Sequence, residues 1–198
     1  MPRDPATPDK MALRTAMRRA RTTLARTVPD AAARAAAALP LDRLPSFTVV
    51  GGYVALGSEL DPAPVIARLT AAGARLALPV ATNRVAALAF RGAEIPEAFQ
   101  PDVFGVPAPP AGAPALVPDL IIAPLLAFDR HGGRLGQGAG CYDRTLSVLR
   151  AAGSVFVIGL AYAGQEVECV PADDHDQTLD AILTESGYIE IRKDHRCA

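Results

Sequence analysis

The sequence predicts an α/β fold: a single domain, residues 1–198, in which a mostly parallel sheet is flanked by helices in a Rossmann-like, three-layer arrangement. Two observations carry this expectation. Runs with β-strand character alternate with helical runs along the chain, which is the order of βαβ units. Two of those runs, Asp119–Pro124 and Val155–Leu160, are continuously apolar, as strands covered on both faces are. With 198 residues, 50% of them hydrophobic, the chain is long enough for a sizeable core.

Each element has a local reason. Thr7-Pro8-Asp9 reads as a helix start, a capping side chain beside an N-terminal proline. That helix runs to about Thr27, with Leu13, Met17 and Leu24 on one side. Pro29-Asp30 opens an Ala-rich helix that ends before Pro40, so residues 1–40 form a helical segment packed on the domain. Ser46–Val54 is β-rich and ends in the loop Gly57-Ser58-Glu59. A helix over Pro62–Ala72 is stopped by Gly73, and strands follow over Arg75–Val80 and Val85–Phe90. Pro96–Pro118 is rich in Pro and Gly, an extended surface excursion rather than a helix. After Asp119–Pro124 comes a glycine-dense loop, Gly132–Gly140, and a helix over about 139–152. Tyr142, Leu146 and Leu149 stand at helical spacing there, and Gly153 is the stop. The strand at Val155–Leu160 precedes an acidic loop, Asp173-Asp-His-Asp176, and two short β-prone pieces near Ile182 and Ile189.

A formal net charge of −1 gives no field that would draw nucleic acid or a membrane surface. No apolar run is long enough to span a membrane. The cysteines, Cys141, Cys169 and Cys197, are odd in number and lack a Cys-x-x-Cys pair, which argues against a disulfide framework or a Cys₄ zinc site. A reducing, cytoplasmic location is expected. The Arg- and Ala-rich N-terminus also has transit-peptide composition, a reading set against its place in the site below. Near-neutral charge and the lack of heptads make a monomer the expectation.

The most informative stretch runs from Phe128 to Arg144, with glycines at 132, 133, 136, 138 and 140 between a buried strand and a helix. Glycines let backbone approach a ligand, and the N–H groups of a helix start suit phosphate. Arg134 adds a planar fork of donors. The plain alternative is a Gly-rich turn. The loop is not a Walker loop, because Gly138 is followed by Ala139-Gly140 rather than Lys and Ser or Thr. Nor is it a clean dinucleotide fingerprint, because Cys141 or Asp143 stands where the third Gly would be.

The run Phe128-Asp129, Gly133-Arg-Leu-Gly136, Gly138-Ala-Gly140 and Tyr142-Asp143-Arg144 resembles the signature of the 5-formyltetrahydrofolate cyclo-ligase family. Weaker matches follow in the family's order: Lys10-x-x-Leu-Arg14, Tyr53 through Glu59-Leu-Asp61, Phe104-Gly-Val-Pro107, Ile158-Gly-Leu-Ala161, Gln165, and Pro171 through His175-Asp176. Gln137 and Cys141 depart from the family, which often has an aromatic or basic residue at the first and a tyrosine at the second.

The resemblance implies an enzyme that closes 5-formyltetrahydrofolate to 5,10-methenyltetrahydrofolate using ATP and Mg²⁺, with reduced folate and ATP as its small-molecule partners. It implies catalytic roles for Arg134 and Lys10, and Arg14 beside Lys10 at the ATP phosphates. Gly133, Leu135, Gly136 and Gln137 flank Arg134 in the nucleotide loop; Gly138, Ala139, Gly140, Cys141 and Tyr142 complete it. Asp143 and Asp176 are the implied Mg²⁺ ligands. Glu59 and Val54 are implied on the folate, and Tyr142 packs either on substrate or in the core. Two rivals stay open: a non-catalytic nucleotide- or folate-binding protein of the same fold, and an NAD-dependent oxidoreductase.

Overall fold

In a computed structural model that describes residues 9–94 and 98–192, the apolar runs line up as one seven-stranded sheet. The strands in chain order are β1 (Val49–Gly51), β2 (Arg75–Val80), β3 (Ala89–Gly92), β4 (Gln100–Pro101), β5 (Pro107–Ala108), β6 (Leu120–Pro124), β7 (Ala127–Phe128), β8 (Arg134–Leu135), β9 (Phe156–Leu160), β10 (Ala181–Thr184) and β11 (Gly187–Glu190). The large sheet has the order β11-β10-β9-β6-β1-β2-β3, while β4–β5 and β7–β8 form separate pairs. The five inner strands are parallel, and the two edges, β3 and β11, are antiparallel. The expectation of a mostly parallel sheet holds.

The helices are α1 (Lys10–Thr27), α2 (Ala31–Ala38), α3 (Ala63–Ala71) and α4 (Cys141–Ala152). Alternation along β6 divides its side chains between two cores, as the pleat requires. Leu120 and Ile122 join Ala35, Val65 and Leu69 under α2 and α3. Ile121 and Ala123 join Leu146 and Leu149 of α4 on the opposite face. These are the three layers. On α1, Leu13, Met17 and Ala20 pack against Leu126, Ala127, Leu135 and Val170. Asp9 caps α1, its carboxylate accepting the Met11 N–H at 3.1 Å; Thr7 and Pro8 lie outside the described residues.

Several boundaries differ from the sequence reading. The Ser46–Val54 run pairs as a strand only over β1, because the Asp119 carboxylate takes the Thr48 and Val49 N–H groups in front of it. Val85–Phe90 begins as a turn, with Asn83 Oδ1 accepting the Val85 and Ala86 N–H groups at 2.9 and 2.7 Å. Arg134 and Leu135 sit on a strand, not in an open loop. Cys141 is free, and Cys197 lies outside the described residues.

The β7–β8 hairpin is built around Asp129, which is 1% exposed. Its carboxylate accepts the His131 and Gly133 N–H groups, both at 2.9 Å, and the Val170 N–H at 2.8 Å. A Cβ on Gly133 would stand 2.3 Å from Asp129 Oδ2, so that glycine serves the turn. Asp129→Ala leaves three backbone donors without their charged acceptor and is expected to lower unfolding free energy by about 3 kcal/mol. Urea denaturation measures it; a midpoint matching wild type would show that the carboxylate does not hold the hairpin.

Candidate active site

Strand order reverses between β1 and β6: the chain leaves β1 for β2 on one side, and leaves β6 for β9 and β10 on the other. The carboxyl ends of strands at such a switch point form a natural crevice. A cavity of about 1040 Å³ opens there, with Tyr53 and Val54 beyond β1, Pro79 in β2 and Leu125 beyond β6 among its walls. Every residue from Arg134 to Asp143 borders it.

Arg134 is delivered by β8 and its side chain is 3% exposed. Its Nη2 donates to Asp143 Oδ1 at 2.8 Å, and its guanidinium lies over the Tyr142 ring, 5.5 Å from the centroid. Arg134 Nε has no hydrogen-bond partner, the sole such buried side-chain nitrogen or oxygen among the described residues. A charged group this dry with an idle donor is costly unless something else completes it. Asp143 Oδ1 also accepts the Gln177 N–H at 3.2 Å, which ties the acidic loop to α4.

The glycine segment beyond β8 is held from outside by α1. Arg14 Nε donates to the Gly136 carbonyl at 3.0 Å, and Arg18 Nε to Gln137 Oε1 at 3.0 Å. Gly140 stands at φ +67° as the residue before α4, and no side chain caps that helix. Its first-turn N–H groups are therefore left for another acceptor.

Lys10 begins α1 and donates to Asp173 Oδ2 at 2.8 Å and Asp176 Oδ2 at 2.5 Å. Burial lowers the ammonium pKa, but the hydrogen bonds to Asp173 and Asp176 outweigh it, and the value is raised. The Lys10 hydrogen bond, then the His175 N–H, hold the Asp173 carboxyl below its ordinary range. On the wall beyond β1, the Glu59 side chain is 9% exposed and pairs with Arg21 Nη1 at 3.4 Å. Burial pushes the neighbouring Tyr53 and Tyr142 phenols upward, with the Glu59 charge adding to both. Tyr142 faces the cavity and also packs on the core under α4.

Of the residues expected in the site, Lys10, Arg14, Val54, Glu59 and Asp176 border the same cavity as the Arg134–Asp143 stretch. Gly133 is outside its lining. Asp173, Gln177, Arg18 and Arg21 join the arrangement without having been expected. The spacing of Arg14, Arg18 and Arg21 on a helix was a usable signal; the partners of the acidic loop had none. Among the described residues no three His, Cys, Asp or Glu side chains gather into a metal-binding group. No helix among them is long and apolar enough to cross a membrane.

Residues 6–185 match the model of the 5-formyltetrahydrofolate cyclo-ligase family. The 5-formyltetrahydrofolate cyclo-ligase of Mycolicibacterium smegmatis is 34% identical over 92% of this chain and 97% of that protein. The Escherichia coli K12 protein of the same name is 33% identical over 71% of this chain and 80% of its own. The NMR structure of Aquifex aeolicus 5,10-methenyltetrahydrofolate synthetase superposes with a TM-score of 0.73 at 25% identity, covering 96% of this chain and 95% of that one.

The Lys10–Asp173 contact has a definite pH signature. Asp173, with its pKa depressed on folding, contributes stability that is present above about 3.9 and lost as pH falls through the folded value. Lys10, with its pKa raised, contributes stability that is present below about 10.4 and lost as pH rises through the folded value. The stability gap between wild type and Lys10→Met is therefore expected to be flat near neutrality and to close at both extremes. Denaturation midpoints across pH measure this, and a gap independent of pH would dismiss the contact.

Proposed function

The chain belongs to the 5-formyltetrahydrofolate cyclo-ligase family, and from that premise we propose that this enzyme closes 5-formyltetrahydrofolate into 5,10-methenyltetrahydrofolate at the expense of ATP. The observation that carries the ATP reading is the buried Arg134 guanidinium with an idle Nε, beside uncapped helix amides and two α1 cations. A formamide oxygen is a poor leaving group, so ring closure needs activation. The formyl oxygen attacks the γ-phosphorus, forming an O–P bond as the bond to ADP breaks. The folate's other nitrogen adds to the activated carbon and loses its proton. The C–O bond then breaks and phosphate leaves.

The protein's contribution is positioning and charge neutralisation. Arg134 and Lys10 take the transferring phosphoryl oxygens. Arg14 and the amides from Gly136 to Tyr142 hold the rest of the phosphate chain. Glu59 accepts donors of the pterin edge, with Val54 as apolar contact. Asp143 and Asp176 suit Mg²⁺: each has its hydrogen bonds from the described residues on one oxygen, leaving the other. Two carboxylates with phosphate oxygens and water are a set that Mg²⁺ accepts. When bound, the ion would neutralise phosphate charge.

The test is to mix the purified protein with 5-formyltetrahydrofolate, Mg²⁺ and ATP, and follow the methenyl chromophore together with ADP. Equal amounts of both are expected. Tight binding without turnover would instead indicate a binding protein, and binding of NAD but not ATP an oxidoreductase. Arg134→Ala is expected to reduce kcat about 100-fold; near-normal kinetics would remove Arg134 from the site. Asp143→Asn should raise the Mg²⁺ concentration needed for half-maximal rate, whereas unchanged metal dependence would make Asp143 a partner of Arg134 only.

A further inference from the structure

Arg21 is a buried cation that the reaction outlined above does not use. Its side chain is 6% exposed and it does not border the cavity. Nε donates to Ser58 Oγ at 3.2 Å, and Nη1 to Glu59 Oε1 at 3.4 Å and to the Leu125 carbonyl at 3.2 Å. These acceptors follow β1 and β6, the two strands flanking the switch point. The other Glu59 oxygen, Oε2, accepts the Leu56 N–H at 3.0 Å. Both carboxylate oxygens are thus anchored, which fixes the plane the carboxylate presents to the cavity.

Arg21 is one heptad beyond Arg14, so the two return to the same helix face within about 20°. Arg21 lies eleven positions beyond Lys10, a helix length of about 16 Å. One helix therefore carries Lys10 at the acidic loop, Arg14 and Arg18 at the glycine segment, and Arg21 at Glu59.

We propose that Arg21 is a positioning residue: by gripping Glu59, it sets the orientation in which the reduced folate is held. The inference rests on the functional reading above.

Steady-state kinetics with each substrate varied in turn test it. Arg21→Met is expected to raise KM for 5-formyltetrahydrofolate about tenfold or more, while KM for ATP stays near wild type. Arg21→Lys keeps the charge but loses the fork, so its folate KM should fall between the two. Glu59→Gln should raise the same KM, and adding Arg21→Met to it should raise it little further, because the two act as one unit. A rise in both substrates' KM together, full additivity in the double variant, or unchanged folate KM in Arg21→Lys would overturn the proposal. If the unmodified protein does not turn over 5-formyltetrahydrofolate, the functional reading fails and takes this inference with it; normal wild-type turnover with indifferent variants sinks the inference alone.

Discussion

The ion pair between Arg134 and Asp143 is the contact around which the site is arranged. It joins a strand of the small hairpin to the first turn of α4 at 2.8 Å, with the arginine almost wholly out of water. A guanidinium in that position costs several kcal/mol unless it is paired. Asp143 supplies the pairing but leaves Nε idle. Everything nearby serves to keep that cation in place. Asp129 closes the hairpin, Tyr142 lies beside the guanidinium, and Gln177 steadies the carboxylate.

Much of the fold could be read from the chain because it rests on local chemistry. Continuous apolar runs are legible as inner strands, and β6 and β9 occur where those runs lie. Gly73 and Gly153 end their helices as expected. The start of β1 depends on a side chain that reaches across the chain, whereas the turn at Val85 is made by its neighbour Asn83. Asp119 is 71 residues from the Thr48 amide whose pairing it takes, and Val170 is 41 residues from Asp129. No window of sequence contains both partners. The antiparallel edge at β11 is set locally, by the two residues that join it to β10.

The site divides along the same line. The glycine segment, Arg134 and Asp143 are contiguous and carry a recognisable pattern, so one short stretch announces them. Glu59 lies in a loop and came from resemblance, and its partner Arg21 sits on α1, 38 residues away. Gln137, a departure from the family, is bonded to Arg18 of α1 and so takes part in holding the loop. Cys141, the other departure, stands at the start of α4, with its sulfur 3.7 Å from Arg144 Nη2. Neither departure alters the proposed cradle, which draws on main-chain amides at those positions.

The proposed reaction requires that cradle to hold a triphosphate. A crystal structure of the protein with Mg²⁺ and a non-hydrolysable ATP analogue addresses it directly. A terminal phosphate oxygen hydrogen-bonded to Arg134 Nε, with the amides before and within the first turn of α4 on neighbouring oxygens, is the predicted result. A triphosphate bound elsewhere, with Nε still idle beside an empty glycine segment, would contradict it.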